Sequence, residues 1–185
     1  NKMWLKEIED GTTSEWVFAY DANGNMIQKD NSEGVGDEYW FYTYDEKNRL
    51  EKVEFAATEQ GTRTTKGEYL YDSEGLRIKK IENSKTTIYI YSGQSILFEE
   101  TFNTDDQDEL DNSSYYESRE YNVELNGLKV AKYKGTYSSG WSYVLEFHLL
   151  YHLGSRQVVT DSQGNVVSGG DVEYGTFGEF EGGLE

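Results

Sequence analysis

Trp40-Phe41-Tyr42-Thr43-Tyr44-Asp45-Glu46-Lys47-Asn48-Arg49-Leu50 is an aromatic run that ends in Tyr-Asp, meets Asn three residues after the aspartate, and turns apolar again at Leu50. The same cassette recurs at Tyr20-Asp21-Ala22-Asn23-Gly24-Asn25-Met26-Ile27 and at Tyr71-Asp72-Ser73-Glu74-Gly75-Leu76-Arg77-Ile78. A variant stands at Thr160-Asp161-Ser162-Gln163-Gly164-Asn165-Val166-Val167. The third residue after Asp is Gly24, Asn48, Gly75 or Gly164, and glycine and asparagine are the residues that accept positive φ at least cost. The aspartate can accept hydrogen bonds from backbone N–H groups one or two residues ahead and so pre-form a turn. Each cassette therefore predicts strand, tight turn, strand. Nothing in it supplies a reagent.

Tyr20, Tyr44 and Tyr71 open the first three copies, 24 and 27 residues apart, a period at which repeat architectures are built. Near the end come Tyr151-His152-Leu153-Gly154-Ser155 and Val172-Glu173-Tyr174-Gly175-Thr176-Phe177-Gly178-Glu179. Together with the cassettes, these segments resemble the RHS or YD-repeat family: bacterial RHS shell proteins and toxin-complex C components, to which animal teneurins are also similar. The resemblance spans roughly residues 14–180, with His152, Leu153, Gly154, Ser155, Tyr174, Phe177 and Gly178 matching the segment at the end of the family's core. It implies a hairpin-built sheet that coils into a hollow shell around a toxin or effector, or that forms part of a surface protein. Some members cut themselves with aspartates of Asp-Pro-x-Gly motifs. Proline is absent from this sequence, so that chemistry is not expected here.

The rest of the composition agrees with a β-sheet. Aromatic residues make up 15% of the residues, with 16 Tyr, against 36% hydrophobic residues in all. Tyrosine offers large packing area and a hydroxyl that can stay wet. The net charge of −18 repels phosphate backbones, which argues against nucleic-acid binding, and disfavours anionic membranes. It leaves solubility, or attraction of a basic partner, as the reading of the acidity. There is no cysteine, hence no disulfide framework or thiolate chemistry. No 18-residue apolar run or signal-type leader is visible, so membrane insertion is not expected. A segment of a larger secreted or cell-surface polypeptide is the expectation.

Period-two alternation places strands at 3–9, 15–20, 26–29, 38–44, 49–57, 64–71, 76–82, 85–91, 95–101, 115–125 and 128–133. A stretch at 136–151 is broken at Ser138-Ser139-Gly140. Turns are expected at Asp10-Gly11, Ser92-Gly93 and Asn126-Gly127, and polar loops at 30–37, 58–62 and 103–114. Residues 146–153 admit a helical turn, but a strand is preferred. The whole is read as one antiparallel, strongly twisted all-β domain over 1–185, with Tyr-Asp hairpins at 14–101, a loop at 102–114 and the core-associated segment at 115–185. Single hairpins are marginal in water, so they must stack as neighbours. Exposed sheet ends would then favour pairing between copies.

Candidate chemistry is sparse. His148 and His152 are four apart, a helical metal spacing, but in a strand about 13 Å separate them. Asp105, Asp106, Asp108 and Asp111 could attract calcium, yet lack the glycine of a helix-loop-helix calcium loop, which favours a solvated loop. Ser155 lacks the nucleophile elbow, and among 35 acids no pair stands out for glycoside hydrolysis. Asn112-Ser113-Ser114 matches a glycosylation acceptor in form only. Trp16, Trp40, Trp141 and the tyrosines could stack on sugars; at strand spacing they read first as a packed wall. The expected function is non-catalytic and cofactor-free: a scaffold in a larger RHS-type polypeptide that shields its effector. A carbohydrate- or protein-binding surface module is the alternative, and a self-cleaving core comes third.

Overall fold

In the computed structural model, the described residues are 2–9, 12–31, 38–150, 156–171, 173–174 and 180–182, with side chains described for 16–31, 38–150 and 158–168. The expected turn at Asp10-Gly11, most of the loop at 30–37, and His152, Leu153, Gly154, Ser155, Phe177 and Gly178 lie outside them. The protein is all-β, with antiparallel consecutive hairpins. Among the described residues, helix is confined to two 3-10 turns, Gln107–Glu109 and Ser113–Tyr115.

The protein divides into two compact units, Asn1–Ser84 and Lys85–Glu185. The first is a meander of β1 (Lys2–Glu9), β2 (Thr12–Tyr20), β3 (Met26–Asp30), β4 (Tyr39–Tyr44), β5 (Leu50–Ala56), β6 (Thr64–Tyr71) and β7 (Arg77–Glu82). Each of these strands pairs with the next. The three Tyr-Asp corners join β2 to β3, β4 to β5 and β6 to β7, so they share one margin of the sheet. Among its described residues, Val17, Asp30, Asn31, Tyr39, Phe41, Ala56 and Gly67 are buried. Val17, Asp30, Tyr39 and Ala56 stand in register across β2 to β5, through Val17↔Asp30, Asp30↔Tyr39 and Tyr39↔Ala56.

The second unit holds β8 (Lys85–Ser92), β9 (Ser95–Phe102), β10 (Tyr116–Leu125), β11 (Leu128–Tyr137), β12 (Trp141–Leu150), β13 (Arg156–Thr160) and β14 (Val166–Asp171), again paired in order. A separate pair is made by β15 (Glu173–Tyr174), which carries Tyr174, and β16 (Phe180–Gly182). Register gives the second unit two unlike faces. One row reads Ile90, Phe98, Tyr121, Tyr133, Leu145 straight across five strands. On the opposite face Lys132 sits between Glu120 and Glu146, at 3.3 and 3.6 Å.

Some boundaries move. β11 runs on to Tyr137 rather than stopping at 133, because its pairing with β12 continues to Tyr137↔Trp141. The turn after β8 is Gly93-Gln94, since Ser92 still pairs with Ser95. The 146–150 stretch is strand, as preferred, with Phe147 and His148 paired to Thr160 and Val159. The polar loop at 103–115 is ordered by Asp106 and Asn112, whose side chains accept from the N–H groups of Asp108 and Ser114 at the starts of the two 3-10 turns.

Candidate functional site

The corners were the one part of the sequence with a repeated chemistry. All four adopt one geometry. The aspartate N–H donates to the carbonyl four residues on, at 2.9 Å from Asp21, Asp45 and Asp72 and at 2.8 Å from Asp161. Its own carbonyl accepts from the N–H three residues on: Gly24, Asn48, Gly75 or Gly164. Those residues have φ of +90°, +60°, +94° and +86°. The residue before each aspartate pairs with the fifth residue after it, as in Tyr44↔Leu50 and Thr160↔Val166, with a register shift beside it. This is a hairpin closed by a turn and a bulge whose left-handed residue must be Gly or Asn.

The carboxylate reaches further than the sequence suggested. One oxygen accepts from the N–H groups two and four residues ahead, not one and two. For Asp45 these come from Lys47 at 2.8 Å and Arg49 at 2.9 Å. The same pair of bonds recurs at Asp21, Asp72 and Asp161. The physical reason is the bulge, which turns the fourth N–H inward onto the same oxygen. The second oxygen is taken by Asn25 Nδ2 at Asp21, Arg49 Nε at Asp45 and Asn165 Nδ2 at Asp161.

Hydrogen bonding therefore holds three of these carboxyls below their ordinary value. The Asn25 side chain does so first at Asp21, the Arg49 N–H at Asp45, and the Asn165 side chain at Asp161. A general acid at neutral pH needs the opposite shift. These aspartates are anchored acceptors.

Corners of the first unit also hold each other. The β3–β4 ladder ends at Gln28↔Phe41 and the β5–β6 ladder at Lys52↔Glu68. Beyond those points the tyrosine before each aspartate closes the gap: Tyr44 donates its hydroxyl to the Met26 carbonyl at 3.0 Å, and Tyr71 to the Leu50 carbonyl at 2.9 Å. Asn48 Oδ1 accepts from both Asn23 and Asn25 of the preceding corner. Arg49 donates to the Asp72 carbonyl at 2.8 Å and lies over the Tyr71 ring, and Lys47 reaches the Ser73 carbonyl. Tyr20, Asp21, Gly24, Tyr44, Asp45, Asn48, Tyr71, Asp72 and Gly75 thus belong to one row of linked corners. Asp161 and Gly164 form a corner of the second unit.

Aromatic residues make a second pattern. In the second unit Tyr133 and Tyr143 stack at 4.8 Å with 2° between their planes, and Trp141 continues the stack at 5.9 Å. Phe98 and Tyr121 meet at 4.7 Å. Tyr143 lies across buried Gly135, where an added Cβ would fall 2.5 Å from Cε1. Beside them the Arg119 guanidinium lies 4.1 Å from the Trp141 ring centre and is paired with Glu100. Burial works against the Arg119 charge, but the bond to Glu100 holds its pKa above the usual value. In the first unit Tyr69 covers buried Gly67 and bonds Glu82 at 2.6 Å. Burial, then Glu82, push its phenol up to about 12. Cations cap the aromatics here: Lys29 over Trp16, Arg63 over Phe41.

Sequence reasoning missed the tyrosine-to-carbonyl bonds, the Asn48 acceptor and the Arg119–Glu100 pair. The available signal for the covered glycines was a strand-internal Gly near a Tyr, as in Gly67-Glu68-Tyr69. His148 lies on β12, while His152 falls outside the described residues. Among the described residues no group of three or more His, Cys, Asp or Glu side chains is placed to hold a metal ion.

The protein is similar in structure to the crystal structure of TcdB2-TccC3-TEV, with a TM-score of 0.58 at 10% sequence identity over 97% of its own length. It spans 10% of that larger molecule. At this identity the likeness shows the fold alone: an antiparallel sheet of consecutive β-hairpins. No family model matches the sequence, and no curated protein matches it.

Proposed function

We propose that this protein is a wall-building segment of an RHS-type secreted or surface polypeptide, in which a hydrogen-bonded hairpin sheet encloses a toxin or effector. The observation that carries the reading is the row of linked corners. Each corner of the first unit spends its polar groups on its own turn and on a neighbouring corner. Asn23 and Asn25 bond the Asn48 side chain, Lys47 and Arg49 reach carbonyls of the next corner, and Tyr44 and Tyr71 reach carbonyls of the preceding one, so the repeats add up to a wall. The likeness of fold to TcdB2-TccC3-TEV supports it. In this reading the segment is non-catalytic and needs no cofactor, and its partners are the remainder of the polypeptide and the enclosed effector.

A flat aromatic platform for sugars is the second reading, favoured by the partial exposure of Tyr121, Tyr133 and Tyr143. Against it, Tyr133 and Tyr143 turn their ring faces to each other, whereas sugar stacking needs a free face.

The test is protease protection of the downstream domain in the full-length protein. The intact protein should shield that domain, and a protein carrying Asp45→Ala with Asp72→Ala should lose the shield. Equal digestion in both, with glycan-array binding that Tyr133→Ala abolishes, would replace the wall with the platform.

A further inference from the structure

Two Asn-Gly pairs occur in the sequence, Asn23-Gly24 and Asn126-Gly127, and the fold treats them oppositely. Asn23 lies within a Tyr-Asp corner. Its side-chain amide donates to Asn48 Oδ1 at 3.0 Å, its N–H to Asp21 Oδ1 at 2.9 Å, and the Gly24 N–H to the Asp21 carbonyl at 3.3 Å. Both atoms that would have to react with each other are thus held by the fold.

Asn126 and Gly127 form the two-residue turn between β10 and β11, with φ of +52° and +77°, the geometry of a type I′ hairpin. No bond of that kind fixes the Asn126 side chain or the Gly127 N–H among the described residues. The tip also runs past the backbone ladders on either side. Pairing of β10 with β9 reaches only Tyr121↔Phe98, and pairing of β11 with β12 only Ala131↔Phe147. Asn122 is still tied to β9 by a hydrogen bond from its side-chain amide to the Ile96 carbonyl, so residues 123–130 are the two-stranded projection, with a register shift after Val123. Leu125 at its end is 63% exposed. Isolated two-stranded hairpins are marginal in water, so this tip opens locally while the sheet persists.

We infer that Asn126-Gly127 is a site of spontaneous deamidation, and that the Tyr-Asp corner protects Asn23-Gly24 from the same reaction. The Gly127 backbone nitrogen, losing its proton to hydroxide, attacks Cγ of Asn126. The new N–C bond forms as the Cγ–Nδ2 bond of Asn126 breaks, and ammonia leaves with a proton from water. Water then opens the cyclic imide at either carbonyl, leaving aspartate or isoaspartate. No electrons are exchanged. Either product adds a negative charge to an already acidic protein, and isoaspartate inserts a methylene into a turn that only two residues span.

The test is ageing of the intact folded protein at mildly alkaline pH, followed by proteolysis, mass spectrometry and labelling with isoaspartate methyltransferase. The fragment with Asn126 should convert at least about tenfold faster than that with Asn23, the factor supplied by about 1.4 kcal/mol of protection. In urea the two should converge. Asn48→Gly, which keeps the corner's backbone and removes the Asn23 acceptor, should raise conversion at Asn23. Equal rates in the folded protein, or an Asn126 that stays intact when folded while both convert in urea, would overturn the inference.

Discussion

Tyr71 and Leu50 are joined across two strands by a hydrogen bond from the phenol to the backbone carbonyl, 2.9 Å long and 21 residues apart in sequence. The bond stands where the backbone ladder between β5 and β6 has ended. A side chain thus finishes what the sheet leaves undone, and Tyr44 does the same for Met26.

Replacing either phenol by phenyl should cost the net worth of one hydrogen bond, about 0.5–1.5 kcal/mol. Denaturant midpoints of Tyr44→Phe and Tyr71→Phe check this. The two should add, because they serve different carbonyls. A midpoint unchanged in both variants would show that water replaces the phenol without loss.

Acid should weaken the corners. Asp21, Asp45 and Asp161 have folded pKa values below the ordinary 3.8. Their contribution is full above that value and is lost as pH falls through the lower folded values. A triple Asp→Asn variant should be less stable than wild type at neutral pH and show a flatter acid limb. Urea midpoints measured across the acid range decide it.

Tyr69 runs in the other sense. Its phenol, raised from 10.0 to about 12 by burial and by Glu82, stabilises the fold fully below pH 10. That contribution drains away as pH climbs toward 12. In an ultraviolet titration, the difference between wild type and Tyr69→Phe should show a late-ionising phenol that Glu82→Gln moves down. A difference curve centred at the ordinary value would refute the pairing.

Gly135 should not tolerate a methyl group. The added carbon would sit 2.5 and 2.9 Å from ring atoms of Tyr143 and 3.1 Å from Trp141. Gly135→Ala should cost about 1–3 kcal/mol, as overpacking does. Tyr143→Ala should remove most of that penalty in a double-mutant cycle. Plain additivity would mean the ring does not rest on the glycine.

Most of the strands and all four corners, three opened by Tyr-Asp and one by Thr160-Asp161, could be read from the sequence, because their causes lie within a few residues. Side chains alternate with period two, and an aspartate meets its own turn's N–H groups. Gly24, Gly75, Gly164 and Asn48 accept the positive φ. Even there the local reading stopped short, since the bulge that brings the Arg49 N–H onto Asp45 depends on pairing with the facing strand. What joins one hairpin to the next was not legible. Tyr71 to Leu50, Asn23 to Asn48, Tyr143 over Gly135 and Arg119 beside Glu100 all depend on inter-strand register, and a one-residue slip would send every one of these side chains to the opposite face. Nearby residues set the corners, but only the paired sheet could decide what those corners and rings touch.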